Sequence, residues 1–217
     1  MEKTTDRPAV LLRDERGLAL TDGELEIRAD FTRMLPRLKQ HNLTSELLVK
    51  AAKIKKADHA LSAVDATAGF GEDALLLAAA GFHVQMYERD PVIAALLADA
   101  MKRAEELPEL REIVSRMTLT EGDSISAMPA MPAPPDIILL DPMFPERQKN
   151  AEVRKKFQLI HLLERPCTDE GALLEAAKAA HPVRIVIKRP VKGPYLAGVK
   201  PSYSLTGKAV RYDCIVL

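Results

Sequence analysis

The chain predicts an α/β fold: a mostly parallel, doubly wound sheet with a small β appendage at its N-terminus. Three observations carry this expectation. Beyond about residue 60, short apolar runs alternate with segments of helical period. Several of those runs end on an acid followed by a turn or helix cap, as strands do when their carboxyl ends feed helices across a parallel sheet. Residues 1–42 lack the alternation, so they divide as a β-rich appendage from a main domain over 43–217.

In "VLLRDERGLALTDGELEIRADF", short apolar runs broken by Arg-Gly and Asp-Gly read as a small meander with tight turns. "NLTSELLVKAAKI" reads as a helix capped by Thr44 or Ser45, with Leu47, Leu48, Ala51 and Ala52 on one face. "ALSAVDATAGFG" is a strand ending in an acid and a Gly-rich turn, and "EDALLLAAAG" is a helix closed by Gly81. "FHVQMYERD" is the second strand, followed by a long helix with Asp90 as N-cap and Pro91 in its first position. "RMTLTEGD" and "PDIILLDP" are the third and fourth strands. A helix over "TDEGALLEAAKAAH", a fifth strand "PVRIVIKRP" and a final strand "KAVRYDCIVL" complete the pattern.

The formal net charge is zero, but its distribution is uneven. Residues 1–56 hold 12 basic and 9 acidic side chains, 57–140 hold 5 and 14, and 141–217 hold 14 and 8. Solvated faces would produce this, and so would a basic rim around an acidic body that brings a polyanion to a cationic small molecule. Cys167 and Cys214 stand far apart without a Cys-x-x-Cys pattern, so neither a disulfide framework nor a bound metal is expected. The opening "MEKTTDRPAV" lacks an apolar signal core, and no apolar run is long enough to span a bilayer. A cytoplasmic protein without membrane contact is expected.

Four strand ends carry the candidate chemistry. In "VDATAGFGED", Gly69 and Gly71 let a ligand approach the backbone, with Thr67 in the same turn. Asp65, Glu72 and Asp73 place three carboxylates around this turn, a poor setting for a pyrophosphate and a good one for an ammonium or sulfonium. Glu88 closes the second strand 23 residues after Asp65, where an acid accepts from ribose hydroxyls, and Arg89 beside it suits an adenine face. Asp123 and Ser124, after the third strand, suit the adenine amine, although Gly-Asp-Ser is also a common turn. In "LLDPMFPERQKN", Asp141 and the Pro142 carbonyl offer acceptors and Phe144 offers a ring, a site for a planar base bearing an NH2 group. These residues fit a methyltransferase acting on a planar amine, with adenine or cytosine in nucleic acid, or a protein glutamine, as alternative targets. A nicotinamide-dependent oxidoreductase and a catalytically silent RNA-binding module remain as rivals. The acids at Glu72 and Asp73 argue against the first and the "DPMF" turn against the second.

The segments "VDATAGFGEDALLLAAAGFHVQMYERDPVIAALL", "LLDPMFPERQKNAEVRKKFQ" and "RIVIKRP" together resemble the RsmJ family. Its members are S-adenosylmethionine (SAM)-dependent class I methyltransferases, Rossmann-like in fold, that modify the N2 amine of a guanine in bacterial small-subunit ribosomal RNA. The likeness runs from about Asp30 to the end of the chain. It departs from the family at Glu72, where a basic residue is usual, and at "LKQHNLTSELL", where the family has a Gly-rich basic segment. The resemblance implies SAM as cofactor and ribosomal RNA or the small subunit as partner. Glu88 would then hold the ribose and Asp123 and Ser124 the adenine. Asp65, Thr67, Gly69, Gly71, Glu72, Asp73 and Asp141 would line the rest of the cofactor site. Asp141, Pro142 and Phe144 would be the catalytic set. Arg147, Lys149, Arg154, Lys155, Lys156, Lys188, Arg189 and Lys192 fit an RNA footprint, with Lys188 and Arg189 at the mouth of the fifth strand the strongest of them.

Overall fold

The computed structural model describes residues 9–54, 58–142 and 169–217. Strands β1 (Val10–Asp14), β2 (Gly17–Thr21) and β3 (Glu26–Ile27) form a three-stranded antiparallel sheet in chain order, the expected meander. Strand structure stops at Ile27. Phe31–Met34 is a 3₁₀ turn, and α1 (Leu35–Leu38) and α2 (Gln40–Leu43) are single helical turns. The stretch before residue 43 is therefore only partly β, and Phe31, Met34 and Leu43 belong to the main core.

Helix α3 (Leu47–Ala52) starts later than expected, with Glu46 rather than Thr44 or Ser45 at its N-cap. The two hydroxyls are engaged behind it: Thr44 Oγ1 donates to the Gln40 carbonyl and Ser45 Oγ to that of Asn42. Glu46 makes no side-chain cap and instead pairs with Arg37 at 2.7 Å.

The main sheet comprises β4 (Ser62–Asp65), β5 (His83–Glu88), β6 (Met117–Glu121), β7 (Ile137–Leu140), β8 (Arg184–Pro190), β9 (Tyr203–Thr206) and β10 (Val210–Val216). Their spatial order is β6-β5-β4-β7-β8-β10-β9. The first five of these are parallel, and β10 runs antiparallel between β8 and β9. The helices are α4 (Glu72–Ala79), α5 (Pro91–Glu105), α6 (Pro108–Val114), α7 (Ser124–Ala127) and α8 (Glu170–Ala179). Helix α5 is capped as its sequence predicts, with Asp90 accepting from the backbone N–H of Val92 and Ile93.

Both faces of the sheet are buried, and strand period two sorts the side chains between them. Ala63, Val84, Met86, Ile137, Leu139 and Val186 pack toward α3, α4 and α6. Val64, Ile138, Leu140, Ile185 and Ile187 pack toward α8 on the other side. A second stripe of α5, Leu96 and Ala100, meets Leu20 and Ala29 and docks the N-terminal sheet. Asp99 on α5, nearly buried, fixes that docking by accepting from Leu18 N–H (2.9 Å), Arg103 Nε (2.8 Å) and Arg13 Nη1 (2.7 Å). Among the described residues, no helix is long and apolar enough to cross a membrane. Cys214 is buried and unpaired, while Cys167 lies outside the described residues.

From β4 the chain winds outward through β5 to β6, then returns to β7 on the other flank of β4. The carboxyl ends of β4 and β7 thus border the crevice at the switch point, where ligands bind in open sheets of this kind.

Candidate active site

The turn after β4 is tied to the end of β7. Ala66 N–H donates to the Leu139 carbonyl (3.0 Å), and Thr67 Oγ1 accepts from Asp141 N–H (2.7 Å). Two glycines serve this turn for different reasons. Gly69 lies at φ +52° with open space where a Cβ would stand, so its backbone is free to be approached. Gly71 lies at φ +75°, and a Cβ there would fall 2.6 Å from Leu97 Cδ1. Helix α4 then starts with Glu72, which is exposed, and Asp73, which faces inward.

Asp73, Asp141 and Lys188 form one ionic cluster. Lys188 Nζ lies 2.6 Å from Asp73 Oδ2 and 2.9 Å from Asp141 Oδ2. Asp65 sits behind them, 2% exposed, and its pKa is pushed up to about 8 by burial and then by the Asp73 carboxylate. Burial also raises Asp141, against the pull of the Lys188 ammonium. For Lys188 the two carboxylates outweigh burial, so it holds its proton above the ordinary lysine range. Two aspartates share one lysine here with a third carboxyl group behind them, an acid-rich setting that suits a sulfonium and disfavours a pyrophosphate.

Glu88, half-buried at the end of β5, braces the same turn. Its Oε2 accepts from Gly69 N–H (2.9 Å) and its Oε1 from Asp90 N–H (2.8 Å). Burial raises its pKa. A carboxylate has about four acceptor positions, so room remains for ribose hydroxyls. Arg89 is exposed beside it. The β5–β6 register, with Gly122 N–H donating to the Glu88 carbonyl, brings Asp123 and Ser124 to the same rim. Asp123 caps α7 through Ile125 N–H and also accepts from Ser126 Oγ, while Ser124 is buried.

The RNA assignment of Arg189 is corrected. Consecutive strand residues point to opposite faces, so Lys188 reaches the crevice while Arg189 turns to the α8 side. Arg189 is 1% exposed, with Nη1 on Glu170 Oε1 and Nε on the Pro194 carbonyl, and presents nothing to an RNA surface. Lys188 reaches the site, but its ammonium is committed to the two aspartates. Pro142 is buried directly after Asp141, and Lys192 is exposed. Phe144, Arg147, Lys149, Arg154, Lys155 and Lys156 lie outside the described residues. Sequence reasoning missed Tyr212, which β10 places opposite Lys188. Its hydroxyl is raised by burial and by Asp73, and Arg37 lies within electrostatic reach of both Tyr212 and Asp73. No local signal marks either residue, because long-range strand pairing brings them here.

Comparison with known proteins agrees with this geometry. A family model described as "SAM-dependent methyltransferase" matches residues 1–217. Ribosomal RNA small subunit methyltransferase J of Thioalkalivibrio sulfidiphilus is 41% identical, over 96% of this chain and 85% of its own length. The protein of that name from Marinobacter nauticus is 38% identical, over 98% and 79%. The match to the Pseudomonas savastanoi protein, at 45% identity, spans 63% of that protein. A crystal structure of a SAM-dependent methyltransferase from Neisseria gonorrhoeae superposes with a TM-score of 0.78 at 32% identity, over all of this chain and 86% of the other. The acid-lined Gly-rich turn, Glu88 braced against it and the Asp141 crevice fit SAM as cofactor, and the chain belongs to the ribosomal RNA small subunit methyltransferase J family of SAM-dependent methyltransferases.

Proposed function

We propose that the chain transfers a methyl group from SAM to the exocyclic N2 amine of a guanine in small-subunit ribosomal RNA, acting in the cytoplasm. The observation that carries this reading is Asp141 at the crevice mouth, fixed by Thr67 and Lys188 beside a turn lined with acids. The names of the relatives support the RNA, and the family resemblance supports guanine N2.

SAM supplies an electrophilic methyl group. Glu88 holds the ribose, and Asp73 with the backbone at Gly69 lines the methionine end, together with Asp65, Thr67, Gly71 and Glu72. Arg89, Asp123 and Ser124 border the adenine. The target amine donates its protons to the Asp141 carboxylate and the Pro142 carbonyl, and the base stacks on Phe144. As the nitrogen lone pair leaves conjugation, positive charge grows beside the Asp141 carboxylate, which stabilises it. Lys188 keeps Asp141 ionised for that role. One amine proton then passes to the Asp141 carboxylate or to water, so no strong base is required. Arg147, Lys149, Lys155 and Lys156 remain proposed RNA contacts.

Replacing the carboxylate tests the reading. Asp141→Ala is expected to lower methyl transfer to purified small-subunit RNA by about 10²–10³-fold, the scale of a lost transition-state acceptor. Calorimetry with S-adenosylhomocysteine checks that the cofactor site survives. Full methylation by this variant would reject the assignment.

A further inference from the structure

The Lys188 ammonium is already committed to two aspartates, which leaves open where else an RNA chain finds positive charge. At the other end of β8 is a cavity of about 360 Å³, lined by Lys50, Lys53, Ile54, Val183, Arg184 and Tyr203. Its walls are the C-terminal part of α3, the start of β8 and the edge strand β9. Among the described residues, no acidic side chain lines it. Lys50 and Lys53 are exposed and have no ion-pair partner among the described residues. Arg184 Nη1 donates to the Ala51 and Lys53 carbonyls at the end of α3, while its Nε is buried without an acceptor among the described residues. Tyr203 is 39% exposed, and the Arg184 guanidinium carbon lies 5.8 Å from its ring centre.

We propose that this cavity is a second contact site for the RNA substrate. Lys50 and Lys53 take backbone phosphate, Arg184 holds the end of α3 that carries them, and a neighbouring base or ribose lies against Tyr203. The proposal rests on ribosomal RNA being the substrate and adds where, away from the reacting base, it is gripped. Two exposed lysines with no ion-pair partner among the described residues recognise a polyanion, and the exposed aromatic ring selects one that carries bases. The volume lies at the lower end of small-ligand sites, enough for one nucleotide unit rather than a folded partner. Arg184 and Lys188 are four residues apart on one strand, about 13 Å at ~3.3 Å per residue. A double-stranded RNA stem extends well beyond this distance, so a single stem can reach the crevice and this cavity together.

The test uses the full chain with two variants, the double substitution Lys50→Glu with Lys53→Glu, and Tyr203→Ala. Binding to a labelled fragment of small-subunit RNA is read by anisotropy at several salt concentrations. Methyl-transfer kinetics and S-adenosylhomocysteine calorimetry are run alongside, with circular dichroism to confirm folding. The double variant is expected to weaken RNA binding at least tenfold, to lower the slope of log K against log salt by about one to two, and to raise KM for RNA with kcat unchanged. Tyr203→Ala is expected to weaken binding about fivefold or more with little change in slope. Wild-type RNA affinity and salt slope in both folded variants would overturn the site while leaving the proposed reaction standing. If the unmodified chain neither binds nor methylates the RNA, the reaction fails, and the site falls with it.

Discussion

Asp65 and Lys188 show how single charges are set in this crevice. The Asp65 carboxyl titrates near 3.8 when unfolded and near 8 when folded. The folded chain therefore binds this proton more tightly, and the stability it contributes is complete below about pH 4 and lost as pH rises toward 8. Asp65→Asn keeps the shape without the titration. At pH 8 its Tm should exceed that of the unmodified chain by about 2–4 °C, the shift ~1 kcal/mol makes in a chain of this size, and the gap should close on acidification. Calorimetric scans across pH would show a constant gap if Asp65 did not titrate. Lys188→Met removes the cation between Asp73 and Asp141, so Asp141 titrates higher still. The acid limb of its pH–rate profile should move up by about one unit, while Lys188→Arg, which keeps the charge, should leave it nearly in place. An unmoved limb in Lys188→Met would show that the ammonium does not govern Asp141.

Docking of the N-terminal sheet is a property of elements rather than of any one strand. Asp99 on α5 holds a β2 backbone N–H and two arginines that reach in from solvent. Gly17, at φ +105°, brings β2 so close that a Cβ there would collide with Arg103 Nε and Asp99 Oδ2. Asp99→Ala should lower global stability by about 2 kcal/mol and speed hydrogen exchange through residues 10–21, leaving the crevice intact. Unchanged exchange there would show that the apolar contact of Leu20 with Leu96 holds the sheet alone. Elements of this kind were legible where the period was long or the caps strong, as in α5 with Asp90 and Pro91. The start of α3 was not, because the Thr44 and Ser45 hydroxyls fold back on α2. Helix α6 lies between the long helix and the third strand, where no element was expected, and β9 is a short edge strand with no buried face to mark it. The turn proposed for the cofactor was legible because Asp65 and Glu88 each end a strand and Gly69 and Gly71 follow in the turn after β4. The balance around Asp141 was not, since Lys188 and Tyr212 meet only through β8–β10 pairing. Lys188 and Arg189 read as one basic pair, and the strand period separates them.

For the whole molecule, the uneven charge found along the sequence becomes a division of labour. The acid-rich block 57–140 supplies the turn proposed for the cofactor, while Lys50 and Lys53, with no ion-pair partner among the described residues, lie at the far end of β8. Raising salt from about 50 to 200 mM should therefore weaken RNA binding at least tenfold and leave S-adenosylhomocysteine affinity nearly constant. Equal sensitivity in both titrations would contradict that division. Strand β8 runs through this whole arrangement, with Arg184 at one end, Lys188 in the crevice and Arg189 locked against Glu170 behind the sheet. Such a strand behaves like a reading frame. Inserting or deleting one residue before Lys188 would preserve composition, charge and hydropathy, yet would send the guanidinium into the crevice and the ammonium into the back layer. The same slip would turn Ile185 and Ile187 away from their core. In this family, lengthening should therefore be tolerated in the turns around β8 and excluded from the strand itself.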